Sequence, residues 1–239
     1  MRRLILLCSL LFTISVYSQV VDAEGKLRTQ KEDTVVGWKK GGVIVLNFAQ
    51  SSFTNWAAGG QNSISGNGLV SLFANYKKGE NTWDNNFDLG YGAMLQGNNL
   101  AKEKPIKTDD KVELNSKYGR KASKQWYYAY LLNVKTQMAP GYNYPNTTDK
   151  ISDLFAPGYI LSAIGMDFKP NDGFNLFIAP VTVKITIVNN DALADAGAFG
   201  VEPATYDTSG NKLTNGTKVR MELGGYLRMM YKKEIMKNV

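Results

Sequence analysis

The 239-residue chain contains no histidine. A Ser-His-Asp triad and a histidine general base both require an imidazole, and the usual zinc ligand sets contain one as well. The absence therefore excludes the most familiar hydrolase mechanisms and the usual zinc centres.

Cysteine is almost absent. The single cysteine, Cys8, lies inside an apolar N-terminal run over residues 4–16. Two arginines precede this run and a plausible cleavage site follows at 17–19, so residues 1–18 are predicted to be a signal peptide. The run is too short to span a bilayer as a helix, and Cys8 does not end it, as a lipid-modified cysteine would. The exported mature chain then has no cysteine and must fold without a disulfide.

The sequence also lacks a concentrated run of basic charge. The formal net charge is +7, and it falls by two to +5 when Arg2 and Arg3 leave with the signal peptide. The remaining lysines and arginines are scattered, so no nucleic-acid partner is indicated. Neither a phosphate-binding loop nor a dinucleotide fingerprint is present, and the sequence predicts no cofactor and no metal site.

Alternation of polar and apolar residues is the main positive signal. In the stretch 83–96, Trp83 and Leu89 lie on one face of an extended chain, and Asp84 and Asp88 lie on the other. The same period of two recurs along the chain, with no helical stretch between. It predicts eight strands, at about 38–49, 64–77, 82–96, 109–119, 125–138, 158–168, 174–188 and 217–231.

These strands predict one all-β domain over residues 36–239, preceded by a polar, flexible segment at 19–35. On the seventh strand the alternation places Phe177 on the apolar face with Val181 and Val183, opposite Lys184. A soluble β-sandwich would turn the apolar face inward. A membrane barrel turns it toward lipid and keeps the charged face in the lumen.

The connections favour the membrane barrel, because they alternate strictly in length. Short connections at 77–81, 119–124 and 169–173 are interleaved with long ones at about 50–63, 97–108, 139–157 and 189–216. Aromatic residues flank the short turns, as in the girdle at a membrane interface. The predicted fold is therefore an antiparallel up-and-down transmembrane β-barrel, with a soluble secreted sandwich that binds a ligand as the alternative.

Two groups of side chains are candidate functional residues. The first is a polar cluster in the predicted lumen, where ion pairs that fill the barrel are the structural interpretation and acid–base catalysis the functional one. Its members are Asp84, Asp88, Glu113, Lys135, Lys184, Arg220, Glu222 and Arg228. The second group consists of aromatic residues in long loops, which could bind a sugar or a partner surface or could pack beneath their loops. They are Phe53, Trp56, Tyr142 and Tyr144.

Several short motifs occur in order along nearly the whole mature chain. They are 47–60 (NFAQSSFTNWAAGG), 126–128 (WYY), 141–145 (GYNYP), 151–153 (ISD), 156–159 (APGY) and 197–201 (GAFGV). Together they resemble the exported Bacteroidota proteins grouped as domain of unknown function three-zero-seven-eight. The resemblance implies an outer-membrane location in a Gram-negative bacterium. It implies no activity, so no catalytic or ligand-binding residue is transferred to this chain.

The sequence thus predicts a non-enzymatic outer-membrane protein that acts as a small pore, a structural component or a surface-binding protein. Its expected partners are outer-membrane lipid and other envelope proteins or glycans. An enzyme that acts on envelope lipid or glycan through lumen carboxylates is the alternative from another class. The chain ends soon after its last strand, in a segment at 231–239 that resembles another short turn, and the related proteins look longer. The barrel is therefore expected to be truncated at its C-terminus.

Overall fold

A computed structural model of the chain describes residues 36–53, 60–171 and 173–231. Some predicted features lie outside the described residues. They are the signal peptide at 1–18, the segment at 19–35, Trp56 and the end of the chain at 232–239.

The described residues form twelve strands, numbered here in chain order. Eight are long, and four are short strands within the connections. The long strands are β1 (Gly37–Ser51), β2 (Ser63–Lys78), β3 (Asn81–Gln96), β4 (Ile106–Lys121), β5 (Trp126–Thr136), β8 (Gly158–Asn171), β9 (Phe174–Ile187) and β12 (Val219–Tyr231). The short strands are β6 (Gly141–Tyr142), β7 (Lys150–Ser152), β10 (Thr205–Tyr206) and β11 (Lys212–Thr214). One short α-helix, α1 (Asp191–Asp195), and 3-10 turns at Leu100–Lys102 and Ala198–Gly200 complete the secondary structure.

The eight long strands form a single antiparallel sheet in the order β1-β2-β3-β4-β5-β8-β9-β12. Each long strand therefore pairs with the next long strand along the chain, which is an up-and-down meander. The eight strands match the eight predicted segments, with ends that differ by up to three residues. The all-β, antiparallel prediction is confirmed.

The connections keep the predicted alternation of length. β2 and β3 are joined by two residues, β4 and β5 by four, and β8 and β9 by two. The other connections run over 52–62, 97–105, 137–157 and 188–218. All short turns therefore lie at one end of the sheet, here called the short-turn end, and all long connections lie at the other, the long-loop end.

β1 and β12 form the two edges of this sheet and do not pair with each other in the described part of the chain. The eight strands lie in one sheet, so the structure does not have the two packed sheets of a β-sandwich. As the first and last strands of an eight-strand meander, β1 and β12 run antiparallel to each other.

One face of the sheet is apolar and exposed. It is called the apolar face here and carries Trp83, Leu72, Ile44, Leu46 and Leu223. Leu46 is 81% exposed and Leu223 is 79% exposed, although both lie within long strands. Monomeric soluble proteins rarely expose an apolar surface that continues across a whole sheet.

The opposite face, called the charged face, holds the buried residues of the sheet. Its centre is a cluster of Ala129, Leu131, Ala163, Phe177 and Ala179, against which two larger side chains, of Leu161 and Tyr226, pack. These residues come from β5, β8, β9 and β12, so side chains several strands apart meet above the same face. The sheet is therefore curved, with the charged face on its concave side and small alanines where the strands converge.

A β-bulge in β9 changes which face its first residues occupy. Ile164 of β8 pairs with Val181, but Met166 pairs with Ile178, so β9 has one residue more than β8 in this interval. Gly165 lies opposite the extra residue, where a Cβ atom would be 2.0 Å from the carbonyl oxygen of Ile178. Pro180, which has no N–H group to donate, occupies the bulge.

The bulge corrects the prediction for Phe177. The unbroken alternation puts this residue on the apolar face with Val181, but the extra residue between them moves it to the charged face. Its side chain is 1% exposed and its ring centroid lies 6.1 Å from that of Tyr226. The prediction fails because a strict period of two does not allow for an inserted residue.

The longest connection has a small core of its own. Leu193 and Ala194 of α1 pack with Val201, Val188 and Ala156 in one buried cluster. The backbone N–H of residue 193 donates to the Asn190 side chain, which caps the helix. This connection is thereby fixed against the loop before β8.

We expect Phe177→Ala to reduce the free energy of unfolding by about 3–5 kcal/mol, because it empties the centre of the buried cluster. Urea unfolding followed by tryptophan fluorescence measures the change. The matched control is Ile178→Ala, one residue along on the opposite face and 38% exposed, which should cost less than half as much. Equal costs at the two positions would contradict the effect of the bulge.

Candidate functional site

Strand register places the eight predicted polar residues on the charged face. Asp88 lies opposite Glu113, Glu113 opposite Lys135, and Arg220 opposite Thr186 of the adjacent β9. The other members extend over neighbouring rows of the same face and are Asp84, Lys184, Glu222 and Arg228. The face is shared, but the eight side chains do not form one cluster.

Two of the eight, Asp88 and Glu113, meet around a lysine. Asp88 is 2% exposed and accepts a hydrogen bond of 2.6 Å from the Ser71 hydroxyl. Lys111 Nζ lies 3.7 Å from Asp88 Oδ2 and 3.0 Å from Glu113 Oε2. Glu113 also accepts a hydrogen bond from the side-chain amide of Asn133 at 3.0 Å.

This arrangement gives the two carboxylates a structural role. Paired carboxylates act as acid and base when their surroundings separate their pKa values and leave room for a substrate. Here Lys111 lies between Asp88 and Glu113 and forms an ion pair with each. The geometry therefore supports an ion-pair network in this part of the sheet more than acid–base catalysis.

A second group contains Lys184, Glu222 and Arg220. Lys184 Nζ lies 3.3 Å from Glu222 Oε2, and the Arg220 guanidinium lies 2.9 Å from Glu222 Oε1. Arg220 also donates to the carbonyl oxygen of Gly200 at 3.0 Å. This group therefore ties the last strand to the 188–218 connection at the long-loop end.

The remaining three predicted residues lie apart from these groups. Asp84 is half-buried on β3 and lies opposite Lys117 in the register. Lys135 is exposed on β5, and Arg228 is exposed on β12 opposite Phe177. The sequence could predict the face of each residue but not which of them would come into contact.

Among the described residues of the charged face, the most buried ion pair joins Lys117 and Asp167, neither of which belongs to the predicted polar cluster. Lys117 Nζ lies 2.6 Å from Asp167 Oδ2, and the Asp167 side chain is 2% exposed. Lys169 Nζ is 3.6 Å from the same oxygen, and Lys117 Nζ lies 4.5 Å from the centre of the Phe177 ring. The other carboxylate oxygen of Asp167 is buried and has no hydrogen-bond partner among the residues that the structure describes.

One sequence signal could have indicated this pair. Asp167 is the single acidic residue of β8, which is mostly apolar up to that position, and a lone carboxylate in such a strand needs a cation if it is buried. Its partner could not be found by strand pairing, because Lys117 lies on β4 and Asp167 on β8, with β5 between them. The contact depends on the curvature of the sheet.

Three of the four predicted loop aromatics, Phe53, Tyr142 and Tyr144, lie in the described part of the chain. The Tyr144 hydroxyl accepts a hydrogen bond of 3.1 Å from the backbone N–H of Lys107, and the rings of Tyr142 and Tyr144 lie 6.3 Å apart, edge to face. Phe53 is 41% exposed and its backbone N–H donates to the Asn62 side chain at 2.7 Å. The packing interpretation thus suits Tyr144 best, while Phe53 remains accessible.

Aromatic rings gather on the apolar face at the short-turn end. The Trp38 ring lies 5.2 Å from that of Tyr76 and 5.7 Å from that of Trp83. Across the sheet, the rings of Trp126 and Phe168 lie 4.7 Å apart. These rings form what is called here the aromatic belt.

Polar contacts fix the long-loop end. The Asp110 carboxylate accepts backbone N–H bonds from Met138 at 2.7 Å and Ala139 at 2.8 Å, and it pairs with Lys107 at 2.9 Å. In the 188–218 connection, Asp195 pairs with Lys212 and accepts the backbone N–H of residue 216 at 2.9 Å. The 137–157 and 188–218 connections are therefore fixed by specific polar contacts.

In the described part of the chain, no group of three or more His, Cys, Asp or Glu side chains has the arrangement of a metal site. No helix among the same residues has the length and hydropathy that a membrane-spanning helix needs.

We expect the Lys117–Asp167 pair to be strongly coupled. Asp167→Leu should reduce the free energy of unfolding by about 3–5 kcal/mol, because it leaves the Lys117 ammonium buried without its partner. Lys117→Met should cost less, since Lys169 still lies near the carboxylate. The double variant should be more stable than Asp167→Leu alone, and urea unfolding of all four proteins measures the coupling. Additive costs would mean that the pair makes no net interaction.

We expect acid to loosen the 188–218 connection. The hydrogen bond from Lys212, followed by that from the backbone N–H of Gly216, lowers the pKa of Asp195 below its ordinary value of 3.8. A lowered pKa in the folded state means that the stabilisation is present above the unfolded pKa and is lost as the pH falls through the folded pKa. Hydrogen exchange at residue 216, corrected for the intrinsic rate, should therefore rise below about pH 4.

The control for this experiment is Asp195→Asn, which removes the ionisation. This variant should exchange faster at neutral pH and respond less to acid. An unchanged acid response in Asp195→Asn would assign the effect to another carboxylate.

Comparison with known proteins identifies one family. No curated protein and no solved structure matches the chain. Residues 48–142 match the model of a family, and this region runs from the end of β1 to β6 and includes nearly all of the 47–60 motif and the whole of the 126–128 motif. The family is the one described as "Protein of unknown function (DUF3078)", which confirms the predicted resemblance over residues 48–142.

Proposed function

We propose that the protein is a non-enzymatic outer-membrane β-barrel with a structural or surface-binding role. The observation that carries the proposal is the inverted sheet: its charged face is concave and holds the buried side chains, while its apolar face is convex and exposed. In a soluble protein the apolar face would be covered. An exposed apolar face of this extent suits contact with lipid, as on the outside of a membrane barrel.

The dimensions of the strands support a membrane span. The long strands contain between 11 and 16 residues, and a tilted strand needs about 9–11 residues to cross a bilayer. The aromatic belt lies at one end of the apolar face, where amphipathic rings favour the membrane interface. Short turns at this end and long connections at the other are typical of outer-membrane barrels, whose short turns lie in the periplasm.

Closure of the sheet is part of the proposal, because open strand edges would leave backbone groups without hydrogen bonds in lipid. β1 and β12 run antiparallel, which is the relative direction they need to pair in a closed antiparallel barrel. An even number of strands fits this geometry. Eight strands would enclose an interior that side chains can fill.

The filled interior favours a structural or surface-binding role over a pore. Phe177, Leu131 and Tyr226 pack together on the concave side, and the Lys117–Asp167 pair lies beside them. A barrel enzyme that acts on envelope lipid or glycan receives less support, since Lys111 lies between Asp88 and Glu113. The folded connections at the long-loop end give the protein a defined surface on that side of the membrane.

We test the proposal with Leu72→Arg. Leu72 lies within β2 on the apolar face and is 47% exposed. If the face contacts lipid near the middle of the bilayer, arginine should cost about 2–4 kcal/mol, whereas an exposed surface position in water tolerates the change within about 0.5 kcal/mol. Refolding and urea unfolding in lipid vesicles measures the cost.

The matched control is Leu213→Arg, the same substitution at a position 66% exposed on β11, in the 188–218 connection. It should change the free energy of unfolding by less than about 0.5 kcal/mol. The mature protein should also stay with the outer membrane after salt and carbonate washes. Recovery as a soluble periplasmic monomer, with Leu72→Arg as mild as the control, would overturn the proposal.

A further inference from the structure

Basic side chains that are scattered along the sequence meet at the short-turn end of the folded sheet. They flank the short turns and the start of β1, and together they are called the basic collar: Lys39, Lys40, Lys77, Lys78, Arg120, Lys121, Lys124 and Lys169. Among the described residues of these same segments, Glu80 is the one carboxylate. Lys40, Lys78, Arg120 and Lys124 are exposed.

The opposite end of the sheet does not have this excess. The described residues of its long connections carry seven carboxylates and five lysines. Several of the lysines there are paired, as Lys150 is with Asp153 at 2.7 Å and Lys218 is with Asp191 at 2.6 Å. The asymmetry between the described parts of the two ends is therefore one of net charge.

The basic collar lies beside the aromatic belt. Lys40 Nζ lies 5.6 Å from the centre of the Trp38 ring, and the Trp38 and Trp83 rings lie 5.7 Å apart. Rings of this kind mark the level of the lipid headgroups, and long basic side chains near a strand end extend toward the same layer. The collar and the belt would thus occupy one interface of the membrane.

We infer that the basic collar binds the phosphate groups of anionic phospholipids in the leaflet on the short-turn side. The inference rests on the proposed function, because the belt faces headgroups only if the apolar face is in lipid. Lysine and arginine form charge-assisted hydrogen bonds with phosphate oxygens, and clustered basic residues at a membrane surface attract anionic lipid. Within the collar, Arg120 pairs with Glu80 and Lys169 lies near Asp167, while Lys40, Lys78 and Lys124 are exposed at the end of the sheet where the lipid phosphates would lie.

The test measures which lipid contacts the belt. In a Trp56→Phe background the remaining tryptophans are Trp38, Trp83 and Trp126, which all lie at the short-turn end. The protein is refolded into phosphatidylcholine vesicles that contain either brominated phosphatidylglycerol or brominated phosphatidylcholine, and the quenching of tryptophan fluorescence is compared. We expect the anionic lipid to quench more strongly, and 0.5 M NaCl to remove most of the difference.

The variant Lys40→Gln/Lys78→Gln/Lys124→Gln should lose most of this preference, because three basic residues no longer attract the anionic surface. The matched control, Lys102→Gln/Lys104→Gln/Lys218→Gln, makes the same change of charge at the long-loop end and should leave the preference unchanged. The shift in gel mobility on boiling reports folding of each protein. Because the salt comparison uses the protein with its basic collar intact, the inference is tested even if a triple variant does not fold.

The outcomes separate the two proposals. Equal quenching by both lipids in the folded protein would overturn the lipid inference while leaving the membrane barrel intact. No quenching by either lipid would overturn the proposed function. A preference that is lost in the control variant and kept in the collar variant would assign the anionic-lipid contact to the opposite end and would also overturn the inference.

Discussion

Burial of charge on the concave face is the constraint on which the rest of the sheet depends. Asp88 and Asp167 are each 2% exposed, and a buried carboxylate without a partner would cost several kcal/mol, of the order of 3–5 when one member of a pair is removed. Their partners Ser71, Lys111 and Lys117 come from other strands. A shift of one residue in any of these strands would turn its side chains to the other face and leave these charges unpaired.

This constraint determines what the other face can be. Since side chains alternate along a strand, a sheet that keeps its charged residues on the concave side must present its apolar residues on the convex side. This arrangement is the reverse of a soluble sheet, whose apolar face is buried. The stability of the sheet therefore depends on what contacts its apolar face. In the proposed barrel, contact between the apolar face and lipid takes the place of apolar burial in a soluble core.

Much of the sheet could be predicted from the sequence, because its signals are local. A period of two and turn residues at short intervals predict each strand and its neighbour. The position of Phe177 could not be predicted in this way. Its face depends on an extra residue opposite Gly165, and a glycine in one strand and a proline in the next do not by themselves specify that a residue is inserted between paired positions.

The candidate site could be predicted only in part, for a similar reason. The alternation identifies the face of Asp88 and Glu113, but the contact of Lys117 with Asp167 crosses an intervening strand and exists only because the sheet is curved. The basic collar is a further case. Its members are up to 130 positions apart in the sequence, from Lys39 to Lys169, and the meander brings them to one end.

The long-loop end contains a backbone conformation that is unfavourable by itself. Phe199 has a φ of 59°, in the left-handed region that a bulky residue rarely adopts, between Gly197 and Gly200 at φ of 70° and 83°. Such a conformation persists where the surrounding structure holds it. Here Phe199 packs against the buried cluster that includes Ala156 and Val201. The motifs at 156–159 and 197–201, some forty residues apart, therefore stabilise each other. A connection that only joined two strands would not need a core of its own, so the 188–218 connection holds a fixed conformation that its length alone would not give it.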